Sequence, residues 1–156
     1  MQTPEPIGPP ATEERRSTPR PAVPGYLGDR LAWTAGLVLA ISAFTDWYSG
    51  GQADGLTLSV TGWHTGALGK LVFFAGLAAL ILEALREAGI ELPATVPESL
   101  VLIALGSLAT IFVLIRLISV PDTFFATAGR GIGLFISLAA AVVLIAAGLL
   151  RAAEEL

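Results

Sequence analysis

From residue 31 onward the chain alternates between long apolar runs and short polar or glycine-rich joints. Four runs stand out, at about 31–48, 65–85, 99–120 and 131–150. The fourth, Gly131–Leu150, carries no charged side chain, whereas Lys70 and Glu83 interrupt the second and Arg116 the third. A bilayer core of about 30 Å needs about 20 helical residues rising 1.5 Å each. Lipid admits only helices or closed barrels, because the backbone must satisfy its own hydrogen bonds there. The runs lack the alternation of barrel strands, so the pattern predicts four transmembrane helices. Short joints make consecutive helices antiparallel neighbours. The expected fold is therefore all-α, a membrane-spanning up-down four-helix bundle.

The joints carry their own signals. Residues 49–64 hold Gly50, Gly51 and Gly55, with room for a short strand at Leu56–Val60. Pro93 and Pro97 suit a helix end and a helix start, and Pro121 opens the third joint. Residues 1–28 are a different material, holding seven of the ten prolines. Proline cannot continue a helix, and the segment has little apolar surface to offset ordering. It is expected to be a disordered cytoplasmic tail ahead of a transmembrane domain at 29–156. Its first apolar run begins too late for a secretory leader. The stretch Arg15-Arg16-Ser17-Thr18-Pro19 is a candidate for phosphorylation.

Composition strengthens the membrane reading. Hydrophobic residues make up 54% and charged ones 14%, against about 45–50% and about 25% in soluble domains. With no cysteine there is no thiolate nucleophile or zinc-thiolate site, and a single His64 excludes a poly-histidine metal centre. The net charge of −4 and the scattered basic residues argue against nucleic acid as a partner. The basic residues do set orientation. With the N-terminus inside, Arg15, Arg16, Arg20, Arg30, Arg86 and Arg151 face the cytoplasm, and Lys70, Arg116 and Arg130 face outward. The excess predicts cytoplasmic N- and C-termini. Trp33 at the inner end, and Trp47, Trp63 and Lys70 at the outer ends, are expected to act as interface anchors.

The remaining polar and small residues suggest packing rather than chemistry. Gly129, Gly133, Ser137 and Ala141 repeat at four-residue spacing, as do Ala32, Gly36 and Ala40, while Gly106 and Thr110 form a shorter row. Such rows let backbones approach closely in lipid. They are expected to pack within the bundle, with self-association as the alternative. Gly129-Arg130-Gly131-Ile132-Gly133 lacks the spacing and preceding strand of a nucleotide loop. Asp46 and Arg116 fall at similar depth near the outer end, so they are expected to pair across helices one and three. An ion or proton site is the sharper alternative. Glu83, Arg86, Glu87 and Glu91 read as a solvated extension of helix two, or less simply as an acidic metal site. His64 reads as a loop residue.

One resemblance rests on several short motifs: Phe44-Thr45-Asp46-Trp47-Tyr48, Trp63 after a glycine-rich joint, Pro97, Arg116-Leu117-Ile118, Pro121, and Gly131-Ile132-Gly133-Leu134-Phe135. From about Leu31 to Leu156 their order resembles uncharacterised small four-helix integral membrane proteins of high-GC Gram-positive bacteria. The resemblance implies topology and a bacterial plasma membrane, and no activity. The expected function is non-enzymatic, with no cofactor: a scaffold or accessory subunit that works through helix–helix association. Its partners would be the lipid bilayer and other membrane proteins or copies of itself. An oligomeric small transporter or channel is the alternative.

Overall fold

A computed structural model describes residues 26–51, 55–90, 93, 95–119 and 128–156. The chain is mostly helical, with four helices: α1 Tyr26–Ser42, α2 Ala67–Glu87, α3 Glu98–Ile118 and α4 Ile132–Glu155. Three short strands, β1 Asp46–Gly51, β2 Thr57–Thr61 and β3 Ala128–Arg130, form one antiparallel sheet in the order β2-β1-β3. A single 3-10 turn, Gly62–Thr65, links β2 to α2. The all-α expectation is thus corrected by a small sheet. Most of the expected tail, and the joint that opens at Pro121, lie outside the described residues. Tyr26, Leu27 and Gly28, assigned to that tail, belong to α1.

The largest boundary error concerns α1, expected to run to Tyr48 but ending at Ser42. The reason is local. Thr45 donates to the Ser42 carbonyl through its backbone N–H and its Oγ1 (2.6 Å), and the Trp47 indole Nε1 donates to it at 2.9 Å. These donors satisfy an orphan carbonyl at the helix end and turn the chain into β1. The β1–β2 register is irregular between Asp46 and Tyr48. A bulge re-aims side chains, and here the consecutive aromatics Trp47 and Tyr48 are both buried. Helix α2 stops at a glycine: Gly89 has φ +75°, and Ile90 N–H and Gly89 N–H bond back to the Leu85 and Arg86 carbonyls. That is a Schellman closure, which favours glycine at the left-handed position.

Each helix packs on its two neighbours around a ring, α1 beside α2 and α4, and α3 beside α2 and α4. Neighbours run antiparallel, since Ser42 meets Ser137 at one end and Ser99 meets Glu155 at the other. The core is small-residue and aliphatic, with Ala32, Leu39, Val72, Ala79, Leu102, Ala109 and Leu144 fully enclosed. Close approach is built from glycine. A Cβ on Gly76 would meet Ala40 N at 2.6 Å, and one on Gly106 would meet Ile145 N at 2.9 Å. Gly36 packs on Gly76 and Gly106 on α4, so these positions serve adjacent helices and not the diagonal pair α1–α3. The outer faces remain apolar, with Leu37, Ile41, Phe74, Ile81, Leu108, Ile111, Val142 and Leu149 exposed. Helices α2, α3 and α4 are long and apolar enough to cross a membrane.

Candidate functional site

The most concentrated polar chemistry lies where α1 begins and α4 ends. It uses every helix: Asp29 from α1, Glu83 and Arg86 from α2, Glu98 from α3, and Arg151 from α4. Arg151 follows the buried Leu144, Ala147 and Gly148 at helical spacing, and Glu83 follows Val72, Gly76 and Ala79 likewise. Periodicity therefore turns both side chains inward.

Arg151 is the hub. Its Nη2 donates to Glu83 Oε2 at 2.7 Å and to Asp29 Oδ1 at 2.8 Å. Arg86 Nη1 donates to the same Asp29 oxygen at 2.9 Å, and its Nε lies 3.7 Å from Glu98 Oε2. Glu98 Oε2 stands 4.0 Å from Arg151 Nη1. The Arg151 and Glu83 side chains are 3% and 2% exposed, whereas Asp29 and Arg86 are each 38% exposed. The network thus grades from a wet rim to a dry centre. At that centre Glu83 Oε1, Arg151 Nε and Arg151 Nη1 have no hydrogen-bond partner among the described residues. Beside the network, Ser99 Oγ donates to Glu155 Oε2 at 2.7 Å, and Trp33 Nε1 to Glu87 Oε1 at 2.8 Å.

Glu83 is therefore not part of a solvated extension. Of the acidic-metal alternative, Glu83 faces Arg151 and Glu87 accepts from Trp33, while Glu91 lies outside the described residues. Among the described residues no three His, Asp or Glu side chains are placed to hold a metal ion; the carboxylates that gather at Arg151 are interleaved with guanidinium groups.

The sheet end corrects a second expectation. Asp46 is exposed and lies on β1, beyond the end of α1. No ion pair joins it to Arg116. The Arg116 Nη2 donates instead to the Thr65 carbonyl, and Tyr48 Oη donates to the Arg116 carbonyl at 2.8 Å. Burial pushes the Tyr48 phenol above its ordinary range, against the opposing pull of the Arg116 charge. Asp46 contributes through its main chain: its carbonyl oxygen would lie 2.8 Å from a Cβ on Gly133.

The other expected residues fall into place around this cap. Trp47 is fully enclosed, so it is an internal cap and not an interface anchor. Trp63 is half-buried, stacks on Phe44 at 5.5 Å and takes the Lys70 ammonium over its ring at 5.5 Å. Ser137 Oγ lies 2.7 Å from Ser42 Oγ and 2.8 Å from the Gly133 carbonyl, joining α4 to α1. Gly129 sits on β3 against Ser49 and is no part of a helical row. His64 Nδ1 lies 2.9 Å from Thr61 Oγ1.

No protein-family model matches the chain, and neither a curated protein nor a solved structure is significantly similar to it.

Proposed function

We propose that this chain is an integral membrane protein of a bacterial plasma membrane, crossing four times with both termini cytoplasmic. It acts without catalysis as a scaffold or accessory subunit. The observation that carries this reading is the disposition of polar groups. The two fully buried charged residues among those described, Glu83 and Arg151, sit in one network at one end of the bundle, and the sheet closes the other. Between them the interior is sealed by Leu39, Val72, Ala79, Leu102 and Leu144, all fully enclosed. A sealed apolar interior offers no hydrated path through one chain, while the apolar outer faces are left for lipid and partner helices.

An oligomeric transporter is the second reading, favoured by the unpartnered atoms of Glu83 and Arg151, since buried ionisable groups at membrane depth often mark ion pathways. The two separate experimentally. Isolation in mild detergent after cross-linking in the membrane should recover a defined partner at fixed stoichiometry. Ion or proton flux through proteoliposomes holding this chain alone would overturn the scaffold reading in favour of transport.

A further inference from the structure

We infer that the groove between the end of α3 and the start of α4 is a binding site for one anionic phospholipid. The inference rests on the membrane reading above and adds a ligand to it. Leu117 and Ile118 from α3, Phe135 from α4 and Arg130 from β3 line a shallow, open groove of about 410 Å³. Its walls differ in chemistry. Ile118 and Phe135 are 78% and 53% exposed, an apolar surface for an acyl chain. Arg130 supplies the cation at the mouth.

Arg130 is also held in position. It pairs with Tyr48 across the β1–β3 ladder, and its Nε donates to the Leu117 carbonyl at 2.7 Å. That bond fixes the plane of the guanidinium. Its two Nη groups have no partner among the described residues, so they can still form the two parallel bonds that a phosphate accepts. The site lies at the end of two apolar helices of membrane-crossing length, where a headgroup meets its chains. A phosphate on Arg130 and an acyl chain along Leu117, Ile118 and Phe135 satisfy both halves of the groove together. A net anionic lipid is preferred over a zwitterionic one, because choline would bring a second cation beside Arg130.

The test is native mass spectrometry of the full chain released from nanodiscs of phosphatidylcholine containing phosphatidylglycerol. Wild type should retain one phosphatidylglycerol in preference to phosphatidylcholine. Arg130→Gln should weaken that retention about tenfold, the scale of one lost charge-assisted contact. Arg130→Lys should lose part of it, and Arg30→Gln, at the opposite end, should lose none. Matching far-ultraviolet circular dichroism and melting would show that the variants fold. Ile118→Ser tests the apolar wall independently and should also weaken retention. Equal retention by Arg130→Gln, or equal loss with Arg30→Gln, would overturn the site. A dimer that retains no lipid and is broken by Ile118→Ser would assign the groove to a second copy instead. Failure of the wild-type chain to enter nanodiscs would sink the membrane reading itself, a result distinct from loss of lipid preference.

Discussion

Arg151 Nη2 and Glu83 Oε2, 68 residues apart in sequence, lie 2.7 Å apart in a setting almost closed to water. Their neighbour Asp29 brings the first helix to the last through the same guanidinium nitrogen. A buried pair of this kind adds little net stability over a well-packed apolar replacement, because desolvation offsets the attraction. What it does supply is register: only one depth of α4 against α1 and α2 lets Arg151 reach both carboxylates.

Removing one partner should therefore be far worse than removing both. Arg151→Met strands Glu83 in an apolar site and is expected to cost about 3–5 kcal/mol. Arg151→Met combined with Glu83→Met should recover much of that loss. Thermal unfolding in a single detergent measures both. If the double variant is no more stable than Arg151→Met alone, Glu83 is not the group that the arginine neutralises.

Close backbone contact makes a second expectation, on packing. A Cβ on Gly106 would fall 2.9 Å from Ile145 N and 3.0 Å from the Ala141 carbonyl, and neither backbone atom can swing away. Gly106→Leu should lower stability by about 1–3 kcal/mol or more through overpacking. Ala146→Leu places the same side chain on an exposed face of α4 and should stay within about 0.5 kcal/mol of wild type. Equal losses would remove the case that α3 and α4 need glycine to meet.

The helices were legible in the chain because each carries a long apolar run, and the small residues at Gly36 and Gly106 marked real close contacts. What misled was the end of α1. Phe44, Trp47 and Tyr48 prolong its apolar pattern, yet Thr45 and Trp47 bond the Ser42 carbonyl and divert the backbone into β1. That diversion carries Asp46 to the surface on β1, while the Arg116 guanidinium turns to the Thr65 carbonyl, so the two do not pair. The charged network was hidden differently. Glu83 was visibly in phase with Gly76 and Ala79, and Arg151 with Leu144 and Gly148. Within a single helix their charges look like end markers. Only the antiparallel arrangement brings Asp29, Glu83 and Arg151 to one level.

Asp46 now makes a negative prediction. Its side chain is exposed and on a strand, so Asp46→Asn should change stability by less than about 0.5 kcal/mol. A melting shift as large as that of Arg151→Met would mean that Asp46 carries an interaction the fold does not display.

The antiparallel helices make the proposed topology testable. Gly51 ends β1 at the sheet end, whereas Leu156 follows α4 at the charged end. Alkaline phosphatase fused after Gly51 should be active outside the cell, and the same enzyme fused after Leu156 should be inactive. The reverse pattern would invert the proposed orientation, and activity at both points would contradict the four crossings.

Tyr48 links the sheet to the bundle and should give the fold an alkaline limit. Its neutral hydroxyl donates to the Arg116 carbonyl, and burial raises its pKa above the usual value of 10.0. A proton held more tightly in the folded than in the unfolded chain contributes stability that is complete below the unfolded pKa. That contribution fades as pH rises through the folded pKa. The phenolate could no longer donate to Arg116 O, so the bond and the favourable burial would fail together. Tyr48→Phe should cost about 0.5–1.5 kcal/mol near neutral pH and should melt with a flatter dependence on pH above about 10 than wild type. The difference in phenolate absorbance between wild type and Tyr48→Phe isolates this one tyrosine from Tyr26. A midpoint at or below the ordinary tyrosine value, with parallel melting curves for the two proteins at high pH, would show that the hydroxyl is hydrated and not held by Arg116.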